Sequence, residues 1–129
     1  KWVPQENYYY AMKNTCFEPS PKRTIGSYSK YSGIDDKLEL IDYYMRYIKF
    51  GMGRTTSDAA QEIRTGKITR EEGVALVRKY DGEFPEEHLD DFLEYTGLSR
   101  NDFFVALDSF RPKNLWEKKE DTWILKYQV

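Results

Sequence analysis

Apolar residues recur at intervals of three and four from residue 36 onward, which is the spacing of one face of an α-helix. The first such stripe predicts a helix from about Asp36 to Phe50, which Gly51 ends. The apolar positions of this helix are Leu38, Ile41, Met45 and Ile48.

Threonines followed three positions later by an acidic residue mark the start of the next two predicted helices. Thr55 and Asp58 have the spacing of a capping box, in which each side chain accepts a hydrogen bond from the other residue's backbone amide. This helix is predicted to end at Gly66. Thr69 and Glu72 repeat the pattern at the start of a third helix. The apolar stripe of that third helix consists of Val74, Val77 and Tyr80.

Two more helices are predicted after a turn at residues 80–85. Pro85 suits the first position of a helix, because its missing N–H has no intrahelical partner there, and this helix is predicted to end at Gly97. Ser99 is a good N-cap for the last helix, which Pro112 ends. The sequence therefore predicts a mainly α fold, a small bundle of about five helices within residues 36–129.

The two ends of the chain differ from this helical part. Residues 1–35 lack helical periodicity and are rich in proline, glycine and serine, which predicts a long irregular segment. Such a segment is unusual in a compact domain, so we expect it to pack on protein that the sequence does not contain. The missing initial methionine also suggests a fragment of a larger protein. Thr122 to Tyr127 favour a short strand, which needs a partner strand.

Composition and charge narrow the classes of function. There are 20 Lys and Arg against 22 Asp and Glu, a net charge of −2, so there is no general basic field for nucleic acid or anionic lipid. No apolar run reaches the roughly twenty residues of a membrane helix. Cys16 is the only cysteine, which excludes an internal disulfide and favours a reducing compartment. We therefore expect a cytoplasmic protein with no nucleic-acid or membrane partner.

Self-contained catalytic chemistry is not predicted. His88 is the only histidine, so Cys16 and His88 are the sole soft metal ligands and a zinc site is not expected. Nothing in their spacing predicts that the two side chains meet as a nucleophile and its base. Adjacent acidic pairs such as Glu71 and Glu72 belong to helix starts. We predict no catalytic residue and no metal site in this chain.

The segment GMGRTT, residues 51–56, has two interpretations. Glycines before a helix N-terminus can bind phosphate, but neither the P-loop nor the dinucleotide fingerprint is present. The simpler interpretation is a helix C-cap at Gly51 and a tight loop between helices. On the next helix Arg54, Asp58 and Glu62 recur in steps of four. They form either a solvated charged face or a contact for an anion or a sugar.

Nearly the whole chain, from about Pro4 to Tyr127, resembles a known family. The stretches that carry the resemblance are PQENYYYAMKNTCFEPSPKRTIGSYSKYSGIDDK, YYMRYIKFGMGRTTSDAAQEIRTGKITREEGVALVRKYDGEFP and DSFRPKNLWEKKEDTWILKY. They are similar to the C-terminal portion of the N-acetyl sugar amidotransferases of lipopolysaccharide and surface-glycan biosynthesis, which are of the PP-loop ATP pyrophosphatase type.

The resemblance implies a bacterial cytoplasmic enzyme that adenylylates the N-acetyl carbonyl of a nucleotide-linked sugar. Ammonia from a glutaminase partner then displaces AMP and leaves an acetamidino group. The Ser-Gly-Gly-x-Asp-Ser loop that grips ATP in this family is absent from the sequence, as is the N-terminal cysteine motif. The resemblance thus implies that ATP and magnesium bind a missing N-terminal PP-loop domain, on which residues 1–35 pack. This chain alone is not expected to catalyse amidotransfer.

The same resemblance points to substrate-binding residues in two stretches, SYSKYSGIDDK and GRTTSDAAQEIR. Lys30 and Arg54 are expected to contact phosphate or uronate. Asp58 or Glu62 is expected to contact sugar hydroxyls. The complete predicted substrate-binding set is Lys30, Arg54, Thr55, Asp58, Glu62 and Arg64.

Three consecutive tyrosines, Tyr8, Tyr9 and Tyr10, suit either stacking on a base or sugar or burial in an interface, of which we expect the interface. An interface here supports an alternative function. In that alternative the chain is a helical module that docks a glutaminase subunit or another protomer.

Overall fold

The computed structural model describes residues 2–129, and these form six α-helices and a two-stranded sheet. The elements are α1 (Pro4–Asn14), α2 (Glu39–Phe50), α3 (Arg54–Thr65), α4 (Arg70–Tyr80), α5 (Leu89–Thr96), α6 (Arg100–Ser109), β1 (Trp116–Lys119) and β2 (Thr122–Leu125). The predicted mainly α fold is confirmed. None of the helices in residues 2–129 is long and apolar enough to cross a membrane.

The five helices predicted from periodicity correspond to α2 through α6, and most of their predicted ends are confirmed. Thr69 and Glu72 form a capping box at α4, and the Ser99 side chain caps α6. Pro85 does not start a helix directly, because a 3-10 turn, Glu86–His88, comes between it and α5. Three helices end at a glycine in the left-handed conformation, namely Gly51, Gly66 and Gly97.

The capping box predicted for Thr55 and Asp58 is wrong. α3 begins one residue before Thr55, and its first amides are capped by a side chain from another part of the chain. Asp81, just beyond α4, accepts hydrogen bonds from the backbone N–H of Gly53 at 2.9 Å and of Thr56 at 3.3 Å. The Asp58 carboxylate is therefore available for other contacts.

The irregular segment predicted for residues 1–35 contains a helix, α1, which is a correction to that prediction. None of the described residues of α1 is buried, and its apolar residues do not follow the spacing of a core-facing helix. It is held by the buried Val3 just before it and by the ring of Tyr8, which stacks on Tyr31 with the ring centroids 4.8 Å apart. Residues 15–35 are irregular, as predicted, and α2 begins at Glu39, three residues after its predicted start at about Asp36.

The core lies where α2, α5 and α6 meet the C-terminal hairpin. Its buried members are Ile41, Ile48, Leu89, Phe103, Leu107 and Trp116. The Trp116 indole N–H donates to the Ile48 carbonyl at 2.7 Å, which ties the hairpin to α2. The predicted C-terminal strand is present as β2, and its required partner is β1, which pairs with it in antiparallel register, Trp116 opposite Leu125.

Candidate functional site

A loop rich in serine and tyrosine, residues 24–33, folds back on itself beside the start of α3. The Thr24 hydroxyl donates to the Ser32 carbonyl at 2.6 Å, and the Thr24 amide donates to the Ser29 carbonyl at 2.8 Å. Ser27, Ser29 and Ser32 are buried. Because its serine and threonine hydroxyls are hydrogen-bonded within the protein, this serine–tyrosine loop has a defined shape.

Thr55 joins the serine–tyrosine loop to α3. Its hydroxyl and its amide both donate to the Gly26 carbonyl, at 2.7 and 3.1 Å, and its side chain is fully buried. A ligand cannot reach this hydroxyl in the structure. In the structure Thr55 therefore connects the loop to α3, whereas the sequence analysis predicts it as a substrate contact.

Arg54 binds the loop to two helices at once. Its Nε donates to Asp58 Oδ1 at 3.0 Å, its Nη1 to the Tyr43 hydroxyl at 3.2 Å and its Nη2 to the Ser32 hydroxyl at 3.1 Å. Burial opposes the charge on Arg54, but the nearby Asp58, Tyr43 and Glu39 together outweigh it, so that the pKa of Arg54 is raised. The guanidinium is thus engaged by the protein itself.

Asp58 and Tyr43 extend this network on either side of Arg54. The second carboxylate oxygen of Asp58 accepts a hydrogen bond from the Ser27 hydroxyl at 2.7 Å. The Tyr43 hydroxyl donates to Glu39 on the same helix, and burial together with this bond raises the pKa of Tyr43. The Arg54 network therefore holds the serine–tyrosine loop in one position against α2 and α3.

An open cleft of about 620 Å³, here called the tyrosine cleft, lies beside this loop. It is bordered by α1, by residues 28–31 of the loop and by residues of α3 and α4. Three residues singled out from the sequence line it together, namely Tyr8, Lys30 and Glu62. Lys30 is exposed, and its Nζ donates to the Pro21 carbonyl at 3.2 Å.

Burial in the wall of the tyrosine cleft changes the acidity of its side chains. It raises the pKa of Glu62, which the Tyr28 hydroxyl partly offsets. It also raises the pKa of Tyr28, and the charges of Glu62 and Asp58 add to this effect. Burial is also the main reason why the pKa of Tyr31 rises to about 12. The tyrosines are therefore neutral at physiological pH, and Glu62 binds a proton more readily than an exposed glutamate.

The remaining predicted site residues lie outside the tyrosine cleft. Arg54 borders a separate cavity of about 250 Å³ at the start of α3. Arg64 is exposed in the last turn of α3. Tyr9 and Tyr10 are 58% and 68% exposed on α1, whereas Tyr8 is half-buried. The predicted substrate-binding set is thus divided into residues at the cleft, residues behind its wall and one residue on the open surface.

The glycine-preceded start of α3 does not fit a phosphate of ATP. The Asp81 carboxylate already lies there, and its Oδ2 accepts from the Gly53 amide at 2.9 Å and from the Thr56 hydroxyl at 2.5 Å. A Cβ added at Gly53 would lie 2.5 Å from Asp81 Oδ1, so this position requires glycine for close approach. Residues 2–129 also contain no cluster of His, Cys, Asp or Glu suited to a metal ion. The simpler interpretation of GMGRTT, a C-cap and a tight loop, describes this geometry.

Most of the chain matches a known protein family. Residues 25–128 match the family described as LPS biosynthesis protein WbpG-like, C-terminal domain. The chain belongs to this family. The matched range includes the Arg54 network and most of the tyrosine cleft, while α1 precedes it. The match agrees with the resemblance to the C-terminal portion of a lipopolysaccharide-biosynthesis protein. Comparison with curated proteins finds no match.

Three residues that shape this WbpG-like domain escaped the sequence reasoning. Tyr31 and Lys67 line the tyrosine cleft, and Asp81 caps α3. No local pattern in residues 27–32, SYSKYS, marks Tyr31, because the side chains of an irregular loop follow no fixed period. No local pattern marks Asp81, whose bond to Thr56 spans 25 residues.

Glu83 anchors the other end of the serine–tyrosine loop. Arg23 forms a two-pronged ion pair with its carboxylate, with both N–O distances 2.6 Å, and the Gly26 amide donates to it at 2.9 Å. Burial of Glu83 favours the neutral form, but the Arg23 and Gly26 hydrogen bonds outweigh it, so that the pKa of Glu83 is lowered.

This lowered pKa predicts a pH-dependent contribution to stability. The contribution is fully present above the unfolded-state pKa of about 4.3 and is lost as the pH falls through the lower folded-state pKa. We expect acidification from pH 7 to pH 3 to lower the unfolding temperature more in the wild type than in Glu83→Gln, measured by circular dichroism. Identical pH profiles for the two proteins would contradict this role of Glu83.

Proposed function

We propose that this chain is the C-terminal region of an ATP-dependent N-acetyl sugar amidotransferase of lipopolysaccharide and O-antigen biosynthesis. In this proposal the cytoplasmic enzyme converts an N-acetyl group of a nucleotide-linked sugar to an acetamidino group. The chain contributes part of the sugar-nucleotide site, and an N-terminal PP-loop domain uses ATP and magnesium. A glutaminase partner supplies the ammonia.

One observation carries the proposal. In a chain of the WbpG-like family, Lys30 and Glu62 line a single open cleft, and the Arg54 network fixes the loop that forms its wall. A wall that is ordered before the ligand arrives supports binding, because the protein does not lose conformational entropy again when the complex forms.

The residues take different roles in this proposal. Lys30 offers an exposed ammonium group to a phosphate, and Glu62 offers hydrogen-bond acceptors to sugar hydroxyls. Arg54 and Asp58 are positioning residues, because their charges satisfy one another and the loop behind the cleft. ATP, bound elsewhere, would turn the amide oxygen into a leaving group, and this chain would orient the sugar and exclude water.

Titration calorimetry with UDP-N-acetylglucosamine tests the proposal. We expect saturable binding to the folded chain, and binding about tenfold weaker to Lys30→Gln at low salt, with a smaller difference at moderate salt because salt screens exposed charges. Lys113→Gln, which removes another exposed ammonium group away from the cleft, is the matched control. Absence of binding by a folded chain, or equal loss in both variants, would contradict the proposal.

A second candidate function, that of an interaction module, is favoured by α1. None of the described residues of this helix is buried, yet it carries exposed aromatic and apolar side chains. Tyr9, Tyr10 and Met12 lie on α1, and Trp2 precedes it. α1 lies before the residues that match a C-terminal domain, so the occupant that we propose for this face is the preceding PP-loop domain of the same protein.

Replacing Tyr9 and Tyr10 by serine tests the second candidate without disturbing the cleft. Tyr8 is left in place because it stacks on Tyr31. We expect the double variant to lose association with the separately produced N-terminal domain in sedimentation velocity, while Tyr95→Ser, changed at a residue 76% exposed on α5, retains it. Retained association of the double variant, or loss only of a glutaminase or a second protomer, would contradict this occupant.

A further inference from the structure

The tyrosine cleft combines aromatic faces with a carboxylate. Tyr8 and Tyr31 are stacked with an angle of 29° between the rings, and Ile68 and Leu76 add apolar surface to the same cleft. Glu62 is the acidic residue that lines it. A pyranose has the matching chemistry, because its C–H face packs on flat apolar surface and its hydroxyls donate to a carboxylate.

Two lysines border the same cleft. Lys30 uses one of its N–H groups on the Pro21 carbonyl, which leaves the others for a ligand. Lys67 pairs with Glu6 on α1, and both side chains are well exposed. An exposed ion pair contributes only about 0–1 kcal/mol, so Lys67 can turn toward a phosphate at small cost. The cleft therefore suits a sugar that carries a phosphate.

Tyr28 leaves a hydrogen bond unmade in the wall of the cleft. Its hydroxyl is buried and has no hydrogen bond of normal geometry with any described residue, although Glu62 lies near enough to interact with it. Because this hydroxyl has almost no accessible surface, a ligand in the cleft would contact Glu62 and not Tyr28. Tyr28 therefore belongs to the wall of the cleft, and Glu62 is the group that a sugar hydroxyl would reach.

A nucleoside fits this set of groups less well. A base is read by donors and acceptors that are paired in its plane, such as an amide side chain. The amide that lines the cleft is that of Gln5, and it is already used, donating to the Tyr9 hydroxyl and accepting from the Tyr31 hydroxyl. The Ser29 hydroxyl is likewise used, on Ser32.

We propose that the tyrosine cleft binds the pyranose ring and the adjoining phosphate of the nucleotide-linked sugar and leaves the nucleoside outside. This inference rests on the proposed function. It assigns one part of the sugar-nucleotide site, the part for the sugar and its phosphate, to the tyrosine cleft. Tyr31 supplies the flat surface, Glu62 accepts from the sugar hydroxyls, and Lys30 and Lys67 hold the phosphate.

Glu62→Gln separates a binding role from a structural one. Because burial raises the folded-state pKa of Glu62, its ionisation costs stability as the pH rises from the unfolded-state value through the folded-state value. The uncharged glutamine avoids this cost, so we expect the unfolding temperature at pH 7 to be equal or higher. Its binding of a sugar phosphate is nevertheless expected to fall about tenfold, because the amide nitrogen replaces one acceptor oxygen.

The test uses N-acetylglucosamine 1-phosphate and UMP as separate probes, each followed by saturation-transfer NMR with the chain. The variants are Glu62→Gln and Tyr31→Leu, and the matched controls are Glu94→Gln and Tyr95→Leu, which change exposed residues on α5. We expect the sugar phosphate to bind, with about tenfold weaker binding to both cleft variants and unchanged binding to both controls. UMP is expected not to bind.

Several results would overturn the inference. One is binding of UMP in place of the sugar phosphate. The second is failure of the sugar phosphate to bind a chain that binds UDP-N-acetylglucosamine. The third is equal binding by the wild type and Glu62→Gln. Binding of UDP-N-acetylglucosamine that is unchanged in both cleft variants would reject the inference together with the role of Glu62, while the role of Lys30 keeps its own test. Absence of UDP-N-acetylglucosamine binding to the folded wild type would reject the proposed function as a whole.

Discussion

An Arg54→Ala variant is expected to unfold at a temperature roughly 8 °C lower and to bind a nucleotide-linked N-acetyl sugar about tenfold more weakly. The substitution leaves the Asp58 carboxylate, whose side chain is only 17% exposed, without its ion pair, and removes a donor to Ser32 and to Tyr43. We expect this to cost about 2 kcal/mol of unfolding free energy. Circular dichroism and calorimetry measure the two effects.

The form of the Arg54 effect distinguishes positioning from direct contact. Arg54 does not line the tyrosine cleft, so its loss should weaken binding by releasing the serine–tyrosine loop. Arg54→Lys, which keeps the charge but cannot reach three acceptors, should lie between the wild type and the alanine variant. Arg70→Ala, at an exposed arginine in the first turn of α4, is the control. Lost binding with unchanged stability would instead make Arg54 a direct ligand contact.

An Asp81→Ala variant is expected to lose about 2 kcal/mol of unfolding free energy, the largest effect we expect at a residue outside the core and the Arg54 network. The Asp81 carboxylate accepts hydrogen bonds from the Gly53 amide, the Thr56 amide and the Thr56 hydroxyl, all at the start of α3. Loss of a capping side chain typically costs about 1 kcal/mol, and loss of the partly buried contact with the Thr56 hydroxyl adds to it. Chemical denaturation measures the difference.

Asp81 also provides a check on the anion-binding interpretation of GMGRTT. With the carboxylate removed, the start of α3 becomes a free helix N-terminus, which attracts anions. Inorganic phosphate is therefore expected to raise the unfolding temperature of Asp81→Ala more than that of the wild type or of Asp81→Asn, which keeps an acceptor oxygen. Equal stabilisation of all three by phosphate, or an unchanged denaturation midpoint, would contradict the capping role of Asp81.

Helices with a buried stripe and local end signals were predictable from the sequence. α2 has apolar residues at helical spacing and Gly51 at its end, and α4 begins with the capping box of Thr69 and Glu72. α1 was not predictable in this way, because a helix that buries none of its described residues needs no apolar stripe. The predicted cap of α3 was wrong for another reason. The distant carboxylate of Asp81 caps this helix in place of the local pair Thr55 and Asp58.

The segments that form the candidate site were predictable from the sequence, but the roles of their individual residues were less so. Lys30 and Glu62 were chosen from two separate segments, and the structure brings them to one cleft. Charge periodicity placed Arg54 and Asp58 on one helix face, but whether such a face contacts a ligand or the protein's own loop depends on Ser27 and other residues from elsewhere in the chain. Tertiary contacts of this kind leave no trace in the local spacing of residues.

Mapping the ligand on the protein shows whether this domain holds a preformed part of the sugar-nucleotide site in the tyrosine cleft. Amide resonances of the ¹⁵N-labelled chain are followed while UDP-N-acetylglucosamine is added. We predict saturable shifts concentrated at Tyr28, Tyr31, Glu62 and Lys67, with the resonances of α5 and α6 unchanged. Shifts centred elsewhere, or none in a chain with dispersed resonances, would contradict it.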